Sequence, residues 1–351
     1  MSHRKFLYVP NAVVKQILTP ADSVRIARET LQQMAAGDIR WQDPRQANLT
    51  VSASEDDVYP SHLMGGTAYK VKGCALPQQG VAGFRVVGLN RSEEGYAVAA
   101  YRPTKNVFLS DSATGEFFGI VDERSAYALR TGSCAAVALE ALRRDDAVDL
   151  SLIATGHMAF AAALAVNEVV PLKRVRVHSR NPERRADFAK RLSAAIGVEV
   201  EPVDDAESCV RGASMVVSVT TATEPFLKYE WLAEGAVVYA MGGGHEWERE
   251  TYRQTRVIVD DREQSKIVTE IRKWTAEGSF DPATEIESDL SSVVSGKVGR
   301  SSDSDQFFVR SQGLVTQDVA QAYWVYSQAA ERGLGVDLEH SLVEQPGDSI
   351  F

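Results

Sequence analysis

From Asp149 to Asp260 the chain alternates strand-like and helix-like stretches: DLSLIATG, a helical stretch to Val166, VRVHSR, a helix from Pro182 to Ala195, VEVEPV, a short helix over Asp204 to Arg211, MVVSVTT, AVVYAMG and VIVDD. Strands separated by helices pair in parallel, because only a crossover long enough to hold a helix returns the chain to the same end of the sheet. The stretch is therefore expected to be α/β, a parallel sheet with helices on both faces. Ligands of such sheets bind outside the carboxyl ends of the strands.

The first segment of the alternation, DLSLIATGHMAFAAALAV, has the order strand, tight turn, small-residue helix. Ala154, Gly156 and Ala159 keep the spacing of G-x-G-x-x-A with the first glycine replaced, and the backbone N–H groups at such a helix start attract a pyrophosphate. Thr155, Gly156, His157 and Met158 are the cofactor candidates of this turn; the alternative is an ordinary β-turn-α. At the end of the second strand an NAD-specific site presents an acid to the ribose. Here the strand ends His178, Ser179, Arg180, Asn181, with Arg184 and Arg185 following. Arginines in place of an acid favour a 2′-phosphate, so NADP is the expected cofactor and NAD the alternative. Ser179, Arg180, Asn181 and Arg184 join the cofactor set, whereas Arg185 is expected to be a solvated residue of the helix start. Val219, Thr220, Thr221, Met241 and Gly242 at later strand ends, and Thr131, complete the set.

The flanks have a different texture. Thr19 to Ala36 has helical spacing, with Thr19 and Asp22 as cap and first-turn acid. Between Gln46 and Val121 short β-rich runs predict an antiparallel sheet, and Gly115 marks the turn of a hairpin between NVFLSD and FFGIVD. Tyr127 to Leu142 predicts a long packed helix; Glu285 to Asp305, polar and glycine-rich, a return linker; Thr316 to Arg332 a last helix, stopped at Gly333 and Gly335.

A chain of 351 residues exceeds what one core serves, so a second domain is expected. A net charge of -10 repels phosphate backbones and anionic bilayers, so neither nucleic acid nor membrane is an expected partner. The richest apolar run, Phe160 to Val170, is broken by Asn167 and Glu168, too early for a transmembrane helix. Pro10, Asn11 and Lys15 interrupt the first apolar run too early for a signal segment, and the N-terminus reads as mature protein. Cys74, Cys134 and Cys209 lack C-x-x-C spacing, which argues for the reducing cytoplasm and against a disulfide framework or a metal site.

Five segments together, TGEFFGIVDERSAYALRTGSCAA (Thr114 to Ala136), VVSVTTATEPFL (Val216 to Leu227), AMGGGHEWERE (Ala240 to Glu250), VVSGKVGR (Val293 to Arg300) and SQGLVTQDVA (Ser311 to Ala320), resemble the ornithine cyclodeaminase/μ-crystallin family. The resemblance implies a Rossmann-like nicotinamide-binding domain, residues 131–312, inserted in an α+β substrate and dimerisation domain. That domain would be formed by residues 1–130 and completed by a C-terminal helix within 313–351, in a homodimer. It also implies that Arg45, Arg85 and Arg130 hold the carboxylate of a small amino or imino acid, with Arg85 at the place of a family lysine; the alternative for Arg45 and Arg85 is a surface charge on a strand. Gly244 stands where cyclodeaminases carry the aspartate that handles the substrate amine, and Arg249 and Glu250 match the reductase branch, which also lacks it. His245 is the candidate proton donor, the alternative being a loop histidine that faces solvent, and His62 is a weaker candidate, while His157 is expected to touch cofactor or solvent rather than do chemistry. The expected function is NAD(P)H-dependent reduction of an α-imino acid or ketimine, in reverse amino-acid dehydrogenation. The alternatives are a cyclodeaminase-like deaminase with a rearranged donor and a non-catalytic binding protein.

Overall fold

The computed structural model describes residues 5–50, 67–90 and 105–338, and divides into two compact units. One comprises the chain up to Leu18, Ile39–Ala126 and the part from Asp318 onward; the other comprises Thr19–Asp38 and Tyr127–Gln317.

Numbered along the whole chain, the first unit contains β1 (Leu7–Val9), α1 (Asn11–Ile17), β2 (Arg40–Trp41), β3 (Ala47–Thr50), β4 (Thr67–Leu76), β5 (Val81–Asn90), β6 (Lys105–Asp111), β7 (Phe117–Asp122), most of α12 (Val315–Glu331) and β16 (Val336–Asp337). The sheet order is β16-β1-β7-β6-β5-β4-β2, with β3 also on β4, and β3 to β7 pair antiparallel as expected. β6 and β7 form the expected hairpin. Its turn places Gly115 at φ 77, and the Asp111 carboxylate accepts from the N–H groups of Ala113 and Thr114. Side chains alternate across the strands. Val107, Leu109 and Val121 are buried, while their neighbours Phe108 and Ile120 are half-buried and Phe84, opposite Phe108, is exposed. α12 lies on the buried side: Val319 fills the space over Gly83, and the Tyr326 ring lies 4.8 Å from that of Phe118.

The second unit contains α2 (Pro20–Ala35), α3 (Ala126–Leu142), β8 (Asp149–Ile153), α4 (His157–Asn167), β9 (Arg174–His178), α5 (Pro182–Ile196), β10 (Val200–Pro202), α6 (Ala206–Val210), β11 (Met215–Ser218), β12 (Val237–Ala240), α7 (Arg249–Gln254), β13 (Arg256–Val259), α8 (Arg262–Ser265), α9 (Thr269–Ala276), α10 (Pro282–Glu285), β14 (Ser288–Asp289), α11 (Leu290–Val294) and β15 (Phe307–Arg310). Its eight strands are all parallel, in the order β10-β9-β8-β11-β12-β15-β13-β14. The chain winds outward from β8 to β10 and then returns to β11 on the other side of β8. That reversal opens a crevice at the carboxyl ends of β8 and β11. The α/β expectation is met.

Two features depart from the sequence reading. Glu285 to Asp305 is not merely a linker, because it contains β14 and α11; Leu290 and Val293 are buried and Asp289 caps α11 by accepting from Ser292 N–H. β15, absent from the expected strands, stands between β12 and β13.

α2 starts as expected, with Thr19 accepting from Asp22 N–H, and it belongs to the second unit. Ser133 Oγ donates to Ser23 Oγ at 2.8 Å, and Gln317 Nε2 to Ala27 O at 3.2 Å. Within the same unit α3 and α4 touch backbone to backbone at Gly132, where a Cβ would stand 2.7 Å from Ala162 Cα and N. Neither helix can yield locally, so Gly132→Ala should cost about 1–3 kcal/mol of stability in urea unfolding, as overpacked cores do. An unchanged midpoint would show that α3 and α4 slide apart freely.

Candidate functional site

The turn after β8 is built for an anion. Gly156 caps α4 with no side chain near the helix mouth, and the first-turn amides, which a helix cannot bond internally, face outward there. Ala154, at the first glycine position of the motif, has φ 155, a region L side chains rarely adopt. His157 Nε2 lies 2.6 Å from Tyr127 Oη, which links the start of α4 to the start of α3.

A cavity of about 670 Å³ opens over the ends of β8, β9 and β11. It is lined by Ile153 to Thr155, His178 to Arg180, Val219 to Thr223 and Phe226. Thr155, Ser179, Arg180, Val219, Thr220 and Thr221 of the expected cofactor set therefore share one wall, and Thr155 Oγ1 donates to Ser179 Oγ. Its size and mixed lining suit a dinucleotide. Met158 is half-buried in α4, Met241 and Gly242 are buried after β12, and the Thr131 hydroxyl is spent on Tyr127 O; these residues lie outside the lining. Asn181 is exposed, and its side-chain oxygen caps α5 by accepting from the N–H of Arg184, itself exposed. The expectation for Arg185 is corrected: it is buried, paired with Asp204, and donates to Ser179 O at 2.8 Å, so it braces the loop that carries Ser179 and Arg180.

Beneath the crevice lies a buried polar network that the sequence did not announce. Glu246 accepts from Ser218 Oγ at 2.8 Å and from Thr220 N–H at 2.5 Å; burial raises its carboxyl above the usual range, against the pull of that N–H. Arg310 pairs with Glu270 at 2.6 Å, both about 2% exposed. Burial opposes charge on Glu270, but Arg310 overrides it and holds the carboxyl below its ordinary value. Asp260, raised by burial, gathers Ser311 Oγ and the N–H groups of Gln312 and Gly313. The Arg130 guanidinium lies against Gly313, where a Cβ would stand 2.3 Å from Nη1. The signal for these residues was SQGLVTQDVA, whose glycine makes room for an arginine distant in sequence.

His245 does not present its ring as expected of a proton donor. Nε2 is buried with no hydrogen-bond partner among the described residues, and the ring meets Trp274 edge-on at 5.2 Å. Gly244, beside it, sits so close to the preceding loop that a Cβ would stand 2.0 Å from Ala222 O.

In the first unit Arg45 lies between β2 and β3, with its guanidinium 4.1 Å from the Trp41 ring centroid. Arg85, on β5, is paired with two buried acids, Glu123 at 2.5 Å and Asp318 at 3.5 Å. His62 lies outside the described residues. No group of His, Cys, Asp and Glu among the described residues could hold a metal, and no described helix is long and apolar enough to cross a membrane. The three cysteines are buried thiols.

Burial lowers the His245 imidazole from its ordinary 6.5, with Glu270 pulling the other way. The folded state then binds this proton more weakly than the unfolded state, so the His245 contribution to stability is intact above pH 6.5 and is lost as pH falls toward the lowered value. Urea unfolding at a series of pH values should show a steeper loss below that point for the wild type than for His245→Gln. Equal slopes would mean that the ring is solvated.

The model of the ornithine cyclodeaminase/mu-crystallin family matches residues 28–333. The Delta(1)-pyrroline-2-carboxylate reductase of Bacillus cereus is 30% identical over 240 residues, 66% of this chain and 73% of that protein. The alanine dehydrogenase of Archaeoglobus fulgidus is 24% identical over 331 residues, 92% of this chain and 94% of that one. Among solved structures, Delta(1)-pyrroline-2-carboxylate reductase from Thermococcus litoralis, in complex with NADH and L-proline, shares the fold with a TM-score of 0.83 at 22% identity, over 95% of this chain and 100% of that chain. A family match that spans most of the sequence decides the affiliation: the chain belongs to the ornithine cyclodeaminase/mu-crystallin family.

Proposed function

We propose that the protein is an NAD(P)H-dependent reductase of an α-imino acid or ketimine, and in reverse an amino-acid dehydrogenase. The observation that carries this is Gly244. No side chain fits there, since Ala222 O occupies the place of a Cβ, so a carboxylate cannot stand where cyclodeaminases carry theirs. Hydride transfer to a C=N carbon needs no such group, and relatives named for reducing pyrroline-2-carboxylate and dehydrogenating alanine agree with it.

The turn at Gly156 would hold the pyrophosphate of a dinucleotide, and the cavity walls at Thr155, Ser179 and Val219 to Thr223 its remaining length. When bound, a reduced nicotinamide supplies the hydride. Arg180 on the cavity wall, exposed Arg184 nearby and the lack of an acid in the lining support NADP over NAD. Arg130 and Arg45 anchor the substrate carboxylate. Arg85 shares its charge with Glu123 and Asp318, so it contributes N–H donors rather than net charge. A protonated imine is already electrophilic, and the hydride step asks nothing of His245. The exposed Phe84 and half-buried Phe108 and Ile120, on the sheet face away from α12, support a homodimer. Three buried free thiols support a cytoplasmic location.

A panel of keto acids with amines, and of cyclic imines, followed at the nicotinamide absorbance tests the reading. Oxidation of NADPH without ammonia release from ornithine is expected. Arg130→Ala should lower kcat/KM about tenfold or more, the worth of a charge-assisted pair. Arg180→Asp should move the preference toward NADH. Robust ammonia release from ornithine with oxidised cofactor would overturn the reading, and so would nucleotide binding with no turnover of any imine.

A further inference from the structure

Glu246 holds one wall of the cavity near both of its ends. That wall is formed by Val219 to Thr223 and Phe226. The side-chain Oε1 of Glu246 accepts from Thr220 N–H at 2.5 Å, and its main-chain oxygen accepts from Phe226 N–H and Leu227 N–H, both at 3.0 Å. Between these points His245 N–H donates to Ala222 O at 2.7 Å. Glu246 is 3% exposed, and Gly242 leaves its carboxylate room, since a Cβ there would stand 2.7 Å from Oε2. The hydrogen-bond partners fix the charge state. Ser218 Oγ accepts from Trp247 Nε1 at 2.9 Å, so its own hydrogen goes to Glu246 Oε2 at 2.8 Å. A proton on Oε1 would meet the Thr220 N–H, which can only donate, and one on Oε2 would displace the Ser218 hydrogen. The set closes around a carboxylate and not around a carboxylic acid.

We infer that Glu246 is a positioning residue for the nucleotide: its negative charge keeps the wall from Thr220 to Phe226 in the shape that binds, and a proton taken up there releases the wall and the ligand with it. The inference rests on the cofactor reading above. From β15 the charge of Arg310, shared with Glu270 of α9, acts on the carboxylate and favours the ionised form. Ser218, Thr220 and Trp247 around it are neutral, and the neighbouring His245 turns its ring to Trp274. Burial works against the charge and leaves the carboxyl above its ordinary 4.5, so the proton returns earlier than it would to an exposed glutamate. The nucleotide binds the ionised form; affinity is therefore full well above the carboxyl's raised value and declines as pH falls through it.

Calorimetric titration with NADP+ and NAD+, from about pH 8 down toward 4.5 and on protein shown folded by circular dichroism, tests this. The wild type should lose affinity for both nucleotides as pH falls; the NAD+ series removes the 2′-phosphate as the titrating group. Glu246→Gln keeps the shape but turns a donor toward the Ser218 hydroxyl and cannot ionise. It should bind both nucleotides about fivefold more weakly at the upper end, within the net worth of one hydrogen bond, and should lose the decline. Ser218→Ala keeps the carboxylate but takes away a donor, so it should move the midpoint of the wild-type decline upward by about one pH unit, a shift that a merely structural carboxylate does not produce. A wild-type affinity flat in pH would overturn the inference, as would a Glu246→Gln protein that declines like the wild type. Should Glu246→Gln not fold, the Ser218→Ala midpoint decides alone: unmoved or lowered, it overturns the inference. A wild type that binds neither nucleotide even at the upper end overturns the cofactor reading itself and the inference with it.

Discussion

One guanidinium taken out of water, that of Arg310, orders the carboxyl end of the parallel sheet. Its Nε donates to Glu270 Oε1, which also accepts from Tyr252 Oη at 2.7 Å, and its two Nη groups reach backbone carbonyls at Ala240, Gly242, Gly244 and Ser311. A buried ion pair of this kind adds little net stability, because desolvation offsets the attraction. What it supplies is direction: the planar fork has several donors in fixed orientation, which an ammonium lacks. Just past Arg310, Asp260 takes over and fixes Ser311, Gln312 and Gly313, and against Gly313 lies Arg130. Three residues thus connect the buried Arg310 to Arg130, the arginine proposed to hold the substrate carboxylate.

The distribution of function follows from this. Buried polar groups hold the loops, and the loops present small residues and hydroxyls to the cavity. The catalytic demand is modest: orient an electrophilic carbon and a hydride donor. Packing of Gly244 against Ala222 O leaves no room for a side chain at that position.

Much of this was legible in the sequence. Most strands and helices from Asp149 to Asp260, the hairpin at Gly115 and the start of the helix after Thr19 carried strong local signals: alternating texture, turn chemistry, a capping threonine. Of the four residues named for the turn after β8, Thr155 lines the cavity, while Gly156, His157 and Met158 lie outside its lining. β15 escaped because a fully buried four-residue strand, FFVR, has no alternation to read and lies far along the chain from its neighbours. α11 escaped because a helix of five residues, held by one aspartate cap, has no period. The burial of Arg185 and of His245 Nε2 depends on tertiary neighbours, Asp204 and Trp274, to which no spacing points.

The path of the chain has a consequence for how the protein is made. The backbone passes between the two units four times, after Leu18, Asp38, Ala126 and Gln317. β13 is synthesised before β15, yet β15 stands between β12 and β13, and the first unit receives its covering helix only from Asp318 onward. On the ribosome, then, the parallel sheet has a strand-wide gap until Arg310 has emerged, and the other sheet has a bare apolar face until a few residues later. Neither unit can finish in the order in which it is translated. Both close within the same short stretch of nascent chain, the one that carries β15 and α12.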